Sequence, residues 1–376
     1  MNKCEYKYCG GCNYKLDNYE LTIKDKQESF NKLFKGYKTN KIIKCENPYH
    51  YRNKSQISFG LDDKKRIIMG NYVESSHIIV PIKDCLIVDE KTNEIFNTIY
   101  KLVIKYKISV FNEYTFKGFI RHVLVRNNSK GEYMVVLVSG TTNFRNQQLF
   151  INDLLKYCPY IKTIVLNINN KRTSLVLGEK NIKLYGNGYI YEKLCGLKFR
   201  ISPASFFQVN SKQTEVLYSK AIEYANFKGN EVCIDAYCGT GTIGMIFSSK
   251  VKKVYGVELN KHAVSDANKN KEYNEINNIE FICEDAGKYM KYLASKHYHI
   301  DTLIMDPPRS GADDKFINSI NILSPNKIVY ISCNPNTLKT NIKQLEKLNY
   351  KVETLQPVDM FPFTSHIETI ALISRK

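Results

Sequence analysis

The pattern of apolar and polar positions changes twice along the chain. Residues 17–36 carry apolar side chains at helical spacing and end at Gly36, which predicts an amphipathic helix. Between residues 50 and 200 the pattern becomes one of short, alternating β-branched runs separated by asparagine and glycine, which predicts a β-rich domain. The runs are KSQISFGLD, RIIMGNYV, FIRHVLVRNN, EYMVVLVSG, IKTIVLNIN, TSLVLGE and IKLYG. Helical spacing at 88–106 and 144–157 predicts two helices inside this domain.

From residue 201 onwards, strand-like runs alternate with helical patterns. The runs are VCIDAYC, VYGVELN, IEFICEDA, DTLIMDPP, IVYISCN, YKVETLQPVDMF and ETIALIS. This alternation predicts a doubly wound α/β domain, in which loops at the carboxyl ends of the strands form the ligand site. We therefore predict a cysteine-bearing segment with a linking helix at 1–50, a β-rich domain at 51–200 and an α/β domain at 201–376.

A glycine loop, DAYCGTGTIG, lies between the first predicted strand of the α/β domain and a helix. Its glycines allow the backbone to approach a ligand closely, and an acid about 20 residues further on can bind ribose hydroxyls. Glu258 has that spacing, and Asp285 at the end of the third strand can reach an adenine amino group. Nicotinamide enzymes and S-adenosyl-L-methionine (SAM) enzymes share such loops. The D-x-x-x-G-x-G form and the position behind a binding domain favour SAM.

Three further loops follow or precede strands of the same domain. MDPPRSG, typical of SAM enzymes that act on nucleobases or planar amides, would place Asp306 beside the cofactor sulfur. SCNP carries Cys333, and a thiolate that adds to C6 of uracil makes C5 nucleophilic. The C5 proton must then be removed by a base, for which FTSHIET offers His366 and Glu368. The residues alone leave the choice between these two open, with histidine the safer prediction.

Three cysteines, Cys4, Cys9 and Cys12, lie within nine residues near the start of the chain. Thiolates at this spacing, with two glycines between them, are typical of a soft-metal site. A fourth ligand would come from Cys45 or Cys85. Zinc and an iron–sulfur cluster both accept four cysteines, so the residues do not decide between them.

Charge and composition narrow the class of partner. The chain has 376 residues and a formal net charge of +18, which favours a polyanion such as nucleic acid. Basic and aromatic residues interleave in the β-rich domain and predict a face that holds phosphates and bases; they are Tyr51, Arg52, Lys54, Arg121, His122 and Arg126. Neither a signal peptide nor a membrane span is expected, so we predict a cytoplasmic protein with reduced thiols. We expect a monomer.

Eight motifs in this order resemble the RNA uracil-5-methyltransferases over nearly the whole chain. They are CGGC, YRNK, FIRHVLVR, SPASFFQVN, DAYCGTGTIG, MDPPRSG, SCNPNTLKTN and HIET. The resemblance implies a Rossmann-like class I SAM-dependent methyltransferase domain behind a central RNA-binding domain. It also implies methyl transfer from SAM to C5 of a uridine in RNA, through a covalent adduct between a cysteine and C6 of uracil.

The resemblance assigns roles to individual positions. It implies Cys333 as the nucleophile and Glu368, in place of His366, as the base. It implies SAM contacts at Gln208, Tyr237, Thr242, Glu258, Asp285 and Asp306. It implies cluster ligands at Cys4, Cys9, Cys12 and Cys85, with a [4Fe–4S] cluster preferred over zinc. The cysteine set is typical of the branch that mostly modifies 23S ribosomal RNA.

Two departures and two alternatives accompany this resemblance. Many relatives begin with a β-barrel RNA-binding domain of the TRAM type, which we expect to be absent because the cysteines begin at Cys4. The sequence NYKLDNYE after CGGC also differs from the family pattern. The first alternative is a transfer-RNA uracil-5-methyltransferase with the same chemistry. The second, from another class, is a non-catalytic RNA-binding protein that contains zinc.

Overall fold

The computed structural model describes residues 4, 6, 8–14 and 18–376. They form two compact units. The first unit contains the described residues up to Asn18, together with Asn47–Lys193 and Arg200–Ala204. The second contains Tyr19–Glu46, Leu194–Phe199 and Ser205–Lys376. The linking helix predicted within 1–50 therefore belongs to the second unit.

The elements of the first half of the chain are, in order, α1 (Tyr19–Leu33), β1 (Lys54–Leu61), β2 (Ile67–Tyr72), β3 (Ile79–Pro81), α2 (Glu90–Lys105), β4 (Ile120–Asn127), β5 (Tyr133–Ser139), α3 (Gln147–Tyr157), β6 (Ile161–Ile168) and β7 (Lys180–Tyr185). Helices α1, α2 and α3 confirm the three predicted from helical spacing. The first helix was predicted to begin at Asp17, which lies outside the described residues.

The elements of the second half are β8 (Ile190–Leu194), β9 (Leu197–Ile201), α4 (Ser211–Ala225), β10 (Val232–Ala236), α5 (Thr242–Ser248), β11 (Lys253–Glu258), α6 (Lys261–Tyr273), β12 (Ile279–Cys283), α7 (Ala286–Ser295), β13 (Thr302–Met305), α8 (Asp314–Leu323), β14 (Lys327–Ser332), α9 (Pro335–Glu346), β15 (Tyr350–Val358) and β16 (Glu368–Arg375). All seven strands predicted for the α/β domain are present, as β10 to β16.

The first unit is built on a sheet with the strand order β3-β2-β1-β4-β5-β6-β7. Its strand pairs are antiparallel except β5 and β6, which are parallel and are joined through α3. Helices α2 and α3 contribute Ile95, Ile99 and Phe150 to the core of this sheet. The predicted strand TSLVLGE does not form, because the backbone carbonyls of this segment accept hydrogen bonds from the side-chain amides of Asn167 and Asn169.

Three basic residues predicted to lie on an exposed nucleic-acid face are buried. Arg121, His122 and Arg126 are 4%, 6% and 3% exposed. The Arg121 guanidinium donates to the carbonyl of Lys171 at 2.9 Å and to the Glu113 carboxylate at 2.7 Å. The prediction is wrong for these three because β4 is buried on both faces, so that alternation along the strand does not mark a solvent side.

The second unit contains a sheet with the order β12-β11-β10-β13-β14-β16-β15. The first five of these strands are parallel, and β16 runs antiparallel to both β14 and β15. The order reverses at β10, which is the topological switch point of a doubly wound sheet. The predicted fold class is therefore confirmed, and the loops after β10, β11, β13 and β14 meet at one edge.

The early part of the chain also builds the second unit. Phe30 of α1 and the following Phe34 are 1% exposed and join the core that the helices and strands of the α/β domain form. After α1 the chain runs parallel to β15, with bridges from Thr39 to Leu355 and from Ile43 to Val358. None of the helices in the described residues is long and apolar enough to cross a membrane.

Candidate active site

A buried carboxylate holds the glycine loop in place. Asp235, near the end of β10, is 0% exposed, and its Oδ2 accepts the backbone N–H of Gly244 at 2.9 Å. Gly241 has a φ of +76°, and a Cβ there would lie 2.3 Å from the Phe281 ring. The positive φ and the close approach of the Phe281 ring both require glycine at position 241. The hydrogen bond from Gly244 to Asp235 fixes the loop against the start of α5.

The acid at the end of β11 faces the same loop. The Glu258 carboxylate accepts the N–H of Gly239 at 3.1 Å and that of Asn260 at 2.8 Å. Asp285, beyond the end of β12, caps α7 by accepting the N–H of Lys288 at 2.9 Å. The structure thus brings Glu258 to the glycine loop, and it gives Asp285 a capping role that the sequence did not predict.

The remaining predicted cofactor contacts lie around this edge. Tyr237 is in the left-handed region with a φ of 60°, and its ring centroid lies 5.0 Å from that of Phe316. Thr242 begins α5, with its Oγ1 3.2 Å from that of Thr240. The Gln208 side chain hydrogen-bonds to Tyr218, whose pKa is raised by burial and then by Asp306, Asp235 and Glu368.

Asp306 and Glu368 are two neighbouring carboxyl groups, of which Asp306 is partly buried and Glu368 is buried. Asp306 follows β13, and its N–H donates to the Ala236 carbonyl at 3.4 Å. Glu368 begins β16 and is 2% exposed. Burial raises the pKa of both carboxyl groups, and the charge of Asp306 raises the pKa of Glu368 further. Two like charges in a low-dielectric site favour a state in which the pair retains a proton.

Cys333 lies beside this pair. Ser332 and Thr369 are the last Cα partners of the β14–β16 ladder, and Cys333 and Glu368 are the next residues at that end. Burial and then the charges of Glu368 and Asp306 raise the pKa of the Cys333 thiol to about 11, and Arg309 acts in the opposite direction. The structure thus brings together the predicted nucleophile and the predicted base.

His366, the other candidate base, has a different neighbour. Its Nδ1 lies 3.4 Å from Nη2 of Arg309. The Arg309 carbonyl accepts the side-chain amide of Asn334, the residue after Cys333, at 3.1 Å. Glu368 is the candidate base whose charge raises the pKa of the Cys333 thiol.

Sequence reasoning missed the residues that hold the loop before Glu368. Lys26 of α1 reaches Asp359 with its Nζ 2.5 Å from Oδ1, and both side chains are buried. The predicted amphipathic helix contains Lys26, but its pattern assigned this lysine no role. Its burial has no sequence signal, because a lysine at such a position normally faces solvent.

Four cysteines of the first unit affect one another electrostatically. Burial and the charges of Cys85, Cys9 and Cys4, opposed by Arg52, together raise the pKa of Cys12 to about 12. Among the residues that the structure describes, no group of three or more histidine, cysteine or acidic side chains is arranged to hold a metal ion. The donor set has the chemistry of a soft-metal site, and its role as a set of cluster ligands stays a prediction.

Cys45, the other candidate for the fourth ligand, belongs to the second unit. It is buried, and its Sγ accepts the side-chain amide of Asn210 at 3.6 Å. Burial raises the pKa of Cys85, and the nearby Cys9 raises it as well. The electrostatic contacts therefore group Cys85, and not Cys45, with the cysteines near the start of the chain.

Comparison with known proteins places these features in a family. Residues 187–376 match the family model described as tRNA (Uracil-5-)-methyltransferase. An uncharacterized RNA methyltransferase of Oceanobacillus iheyensis is 40% identical over 98% of this chain and 82% of its own length. One from Staphylococcus aureus (strain MRSA252) is 38% identical over 99% of this chain and 83% of its own length.

A solved structure agrees with this assignment. The tRNA (uracil-54, C5)-methyltransferase of Pyrococcus abyssi, in complex with S-adenosyl-L-homocysteine, has a TM-score of 0.79 and is 25% identical. The match covers 98% of this chain and 86% of that one. The family match spans the α/β domain with all the candidate active-site residues, and the relatives match along nearly the whole chain. This chain therefore belongs to the RNA uracil-5-methyltransferase family.

Proposed function

We propose that this protein transfers a methyl group from SAM to C5 of a specific uridine in 23S ribosomal RNA, through a covalent adduct with Cys333. The observation that carries the proposal is the ladder end that brings Cys333 and Glu368 together, with Asp306 beside them. A thiol and a carboxylate are the two groups that this reaction needs. Membership of the family supports the reaction type.

In the proposed mechanism Cys333 reacts as a thiolate, after its proton is lost to solvent. The sulfur forms a bond to C6 of uracil, and the electrons of the C5–C6 double bond make C5 an enolate carbon. C5 takes the methyl group, which SAM supplies when it is bound. The Glu368 carboxylate then removes the C5 proton. The C6–sulfur bond breaks, which restores the double bond and returns the thiolate.

Cys333 and Glu368 are partly or fully buried, so the target base must leave its stack to reach them. Unstacking costs roughly a few kcal/mol, and least when the nucleotide is already in a loop. We infer a uridine in a single-stranded or loop region of the RNA. The net charge of +18 supports binding of a polyanion.

The SAM contacts proposed are Gln208, Tyr237, Thr242, Glu258, Asp285 and Asp306. Glu258 supports this role best, because its carboxylate already lies at the Gly239 N–H of the glycine loop. A carboxylate at that position can accept ribose hydroxyl groups. Asp285 can serve a ligand and cap α7 at once, because only its Oδ1 is used by the Lys288 N–H.

We propose Cys4, Cys9, Cys12 and Cys85 as ligands of a [4Fe–4S] cluster. The mutual effect of their charges supports a common site, and iron–sulfur clusters accept four cysteine thiolates. No step of the methyl transfer needs an electron. A structural role in the first unit is therefore the simpler proposal for the cluster.

Transfer RNA is the second candidate substrate, favoured by the likeness to the Pyrococcus abyssi enzyme. The choice is tested by incubating the anaerobically purified protein with methyl-labelled SAM and either unmodified 23S ribosomal RNA or transfer RNA transcripts. Nucleoside analysis then locates the label. Labelled 5-methyluridine from the 23S transcript alone supports the proposal. Label from transfer RNA alone moves the proposal to the second substrate.

A further inference from the structure

The segment from Asp359 to Glu368 connects β15 to β16 and carries the proposed base at its end. A lysine from the other end of the chain lies against it. Lys26 of α1 is 2% exposed, although lysine is almost never fully buried unless it is paired. A buried lysine in contact with this segment is therefore a feature that needs an explanation.

All three N–H bonds of the Lys26 ammonium are used within this segment. Nζ lies 2.5 Å from Oδ1 of Asp359, 3.0 Å from the carbonyl oxygen of Phe361 and 2.8 Å from that of His366. An ammonium has three donors and no acceptor, so its hydrogen-bonding capacity is complete. One nitrogen atom thus binds three points along the segment. The last of them, His366, lies two residues before Glu368.

The Asp359 carboxylate is fixed in turn. Its Oδ2 accepts the Tyr19 hydroxyl at 2.6 Å, and the same hydroxyl oxygen accepts the N–H of Cys45 at 2.8 Å. The N–H of Asp359 donates to the Ile43 carbonyl at 2.9 Å. The carboxylate therefore balances the buried charge of Lys26 in one defined position.

Stability alone does not account for this arrangement. Replacing a buried ion pair by apolar residues of similar volume is often neutral or stabilising. An apolar pair would join α1 to the segment equally well, but it could not bind the carbonyls of Phe361 and His366. What the ammonium adds, and an apolar side chain could not, is a set of hydrogen bonds that fix the backbone next to Glu368.

We propose that Lys26 is a positioning residue for Glu368, which it aligns by fixing the turn from Asp359 to His366. This inference rests on the proposed role of Glu368 as the base. Lys26 does not touch the reacting atoms. Its loss should therefore affect proton removal and release of the adduct more than the attack of Cys333, which directly follows β14.

The test compares three variants with the wild-type protein. Lys26→Met removes the ammonium and leaves Asp359 charged. Lys26→Met combined with Asp359→Leu removes both charges, so it avoids an unpaired buried carboxylate. Lys24→Met is the matched control, because Lys24 lies on the same helix with its side chain 71% exposed. Thermal melting and SAM binding verify that each variant folds.

Single-turnover reactions with methyl-labelled SAM and the RNA substrate separate the two steps. Denaturing gels measure the covalent protein–RNA adduct, and nucleoside analysis measures released 5-methyluridine. We expect both Lys26 variants to form the adduct at close to the wild-type rate. Release should be about tenfold to a hundredfold slower, as expected for a misplaced catalytic group. Lys24→Met should match the wild type.

Two kinetic results would overturn the inference. One is wild-type release from the folded double variant, and the other is an equal loss in both steps, which indicates general damage. Amide hydrogen exchange across residues 361–368 gives a readout that does not depend on activity. Exchange should be faster in both Lys26 variants than in Lys24→Met, and unchanged exchange would also overturn the inference. If the wild-type protein forms neither adduct nor 5-methyluridine, the proposed function fails. Hydrogen exchange then remains as the test of whether Lys26 fixes the turn.

Discussion

Cys333 and Glu368 lie one residue beyond Ser332 and Thr369, the terminal Cα partners of the β14–β16 ladder. Cys333 enters this position at the carboxyl end of a parallel strand, whereas Glu368 begins an antiparallel one. The reversal of β16 is what brings the thiol and the carboxylate to the same edge of the sheet. The predictions below follow from this relationship.

Cys333→Ala should abolish methyl transfer, with a loss on the order of a millionfold, comparable to removal of a nucleophile in other enzymes. The glycine loop and Glu258 are untouched by the substitution, so the affinity for SAM should be unchanged. Calorimetric titration with SAM and incorporation of labelled methyl groups into RNA measure the two effects. Cys195→Ala, in the turn between β8 and β9, is the control and should retain activity. Methylation by the Cys333 variant would remove the thiol from the mechanism.

Glu368→Gln should still form the adduct and transfer the methyl group, because neither step requires the carboxylate. Release should be slowed by roughly 10²–10⁴-fold, the usual contribution of a general base. The protein–RNA adduct should therefore accumulate on denaturing gels. Glu353→Gln in β15, whose carboxylate accepts a hydrogen bond from Ser374, is the matched control. Free product at the normal rate from the Glu368 variant would rule out its role as the base.

The release step should accelerate as the pH rises. Burial and the charge of Asp306 hold the pKa of Glu368 above its usual range, so this carboxyl group keeps its proton at a pH where an exposed glutamate is ionised. Only the ionised form removes the C5 proton. Adduct should therefore persist longer at about pH 6 than at about pH 9 in single-turnover reactions. Release that is independent of pH, or slower at high pH, would contradict this assignment.

The thiol should impose a pH dependence of the same sign on adduct formation. Burial, Glu368 and Asp306 raise the pKa of Cys333 to about 11, so thiolate becomes more abundant as the pH rises. The rate of adduct formation in Glu368→Gln isolates this step, and it should still increase with pH. Loss of one nearby carboxylate should also lower the pKa of the thiol, which moves the rise to lower pH than in the wild type.

The cysteines of the first unit should bind iron together. Anaerobically purified protein should contain about four iron atoms per chain, as expected for a [4Fe–4S] cluster, and Cys12→Ala should lose most of them. Cys158→Ala is the control, because Cys158 lies in the core of the same unit and near Thr98. Iron and acid-labile sulfide are measured chemically. Stoichiometric zinc without sulfide would replace the cluster by a zinc site.

Sequence patterns predicted the α/β domain well because its signals are local. Each of its parallel strands is a continuous apolar run that ends in a polar turn, and the turns carry glycine, proline or cysteine at defined positions. Asp306 and Cys333 could be assigned to the same edge of the sheet because both follow parallel strands. The fold comparison and the strand order agree with that prediction.

The features that the sequence did not predict depend on distant contacts. Lys26 and Asp359 are 333 residues apart, and neither has a local signal of burial. Arg121 follows an alternating pattern, but it lies in a strand that is covered on both faces, so its charge is satisfied inside the protein. TSLVLGE has the composition of a strand, yet its backbone carbonyl oxygens accept hydrogen bonds from the side-chain amides of Asn167 and Asn169.

The most direct test of the central claim uses RNA in which 5-fluorouridine replaces uridine. Fluorine at C5 cannot be removed as a proton, so the elimination step is blocked and the adduct should persist. With labelled SAM, the protein should form a stable complex with RNA that contains the methyl group, and peptide mass spectrometry should locate the nucleotide on Cys333. Absence of a complex, or attachment at a different residue, would contradict the account.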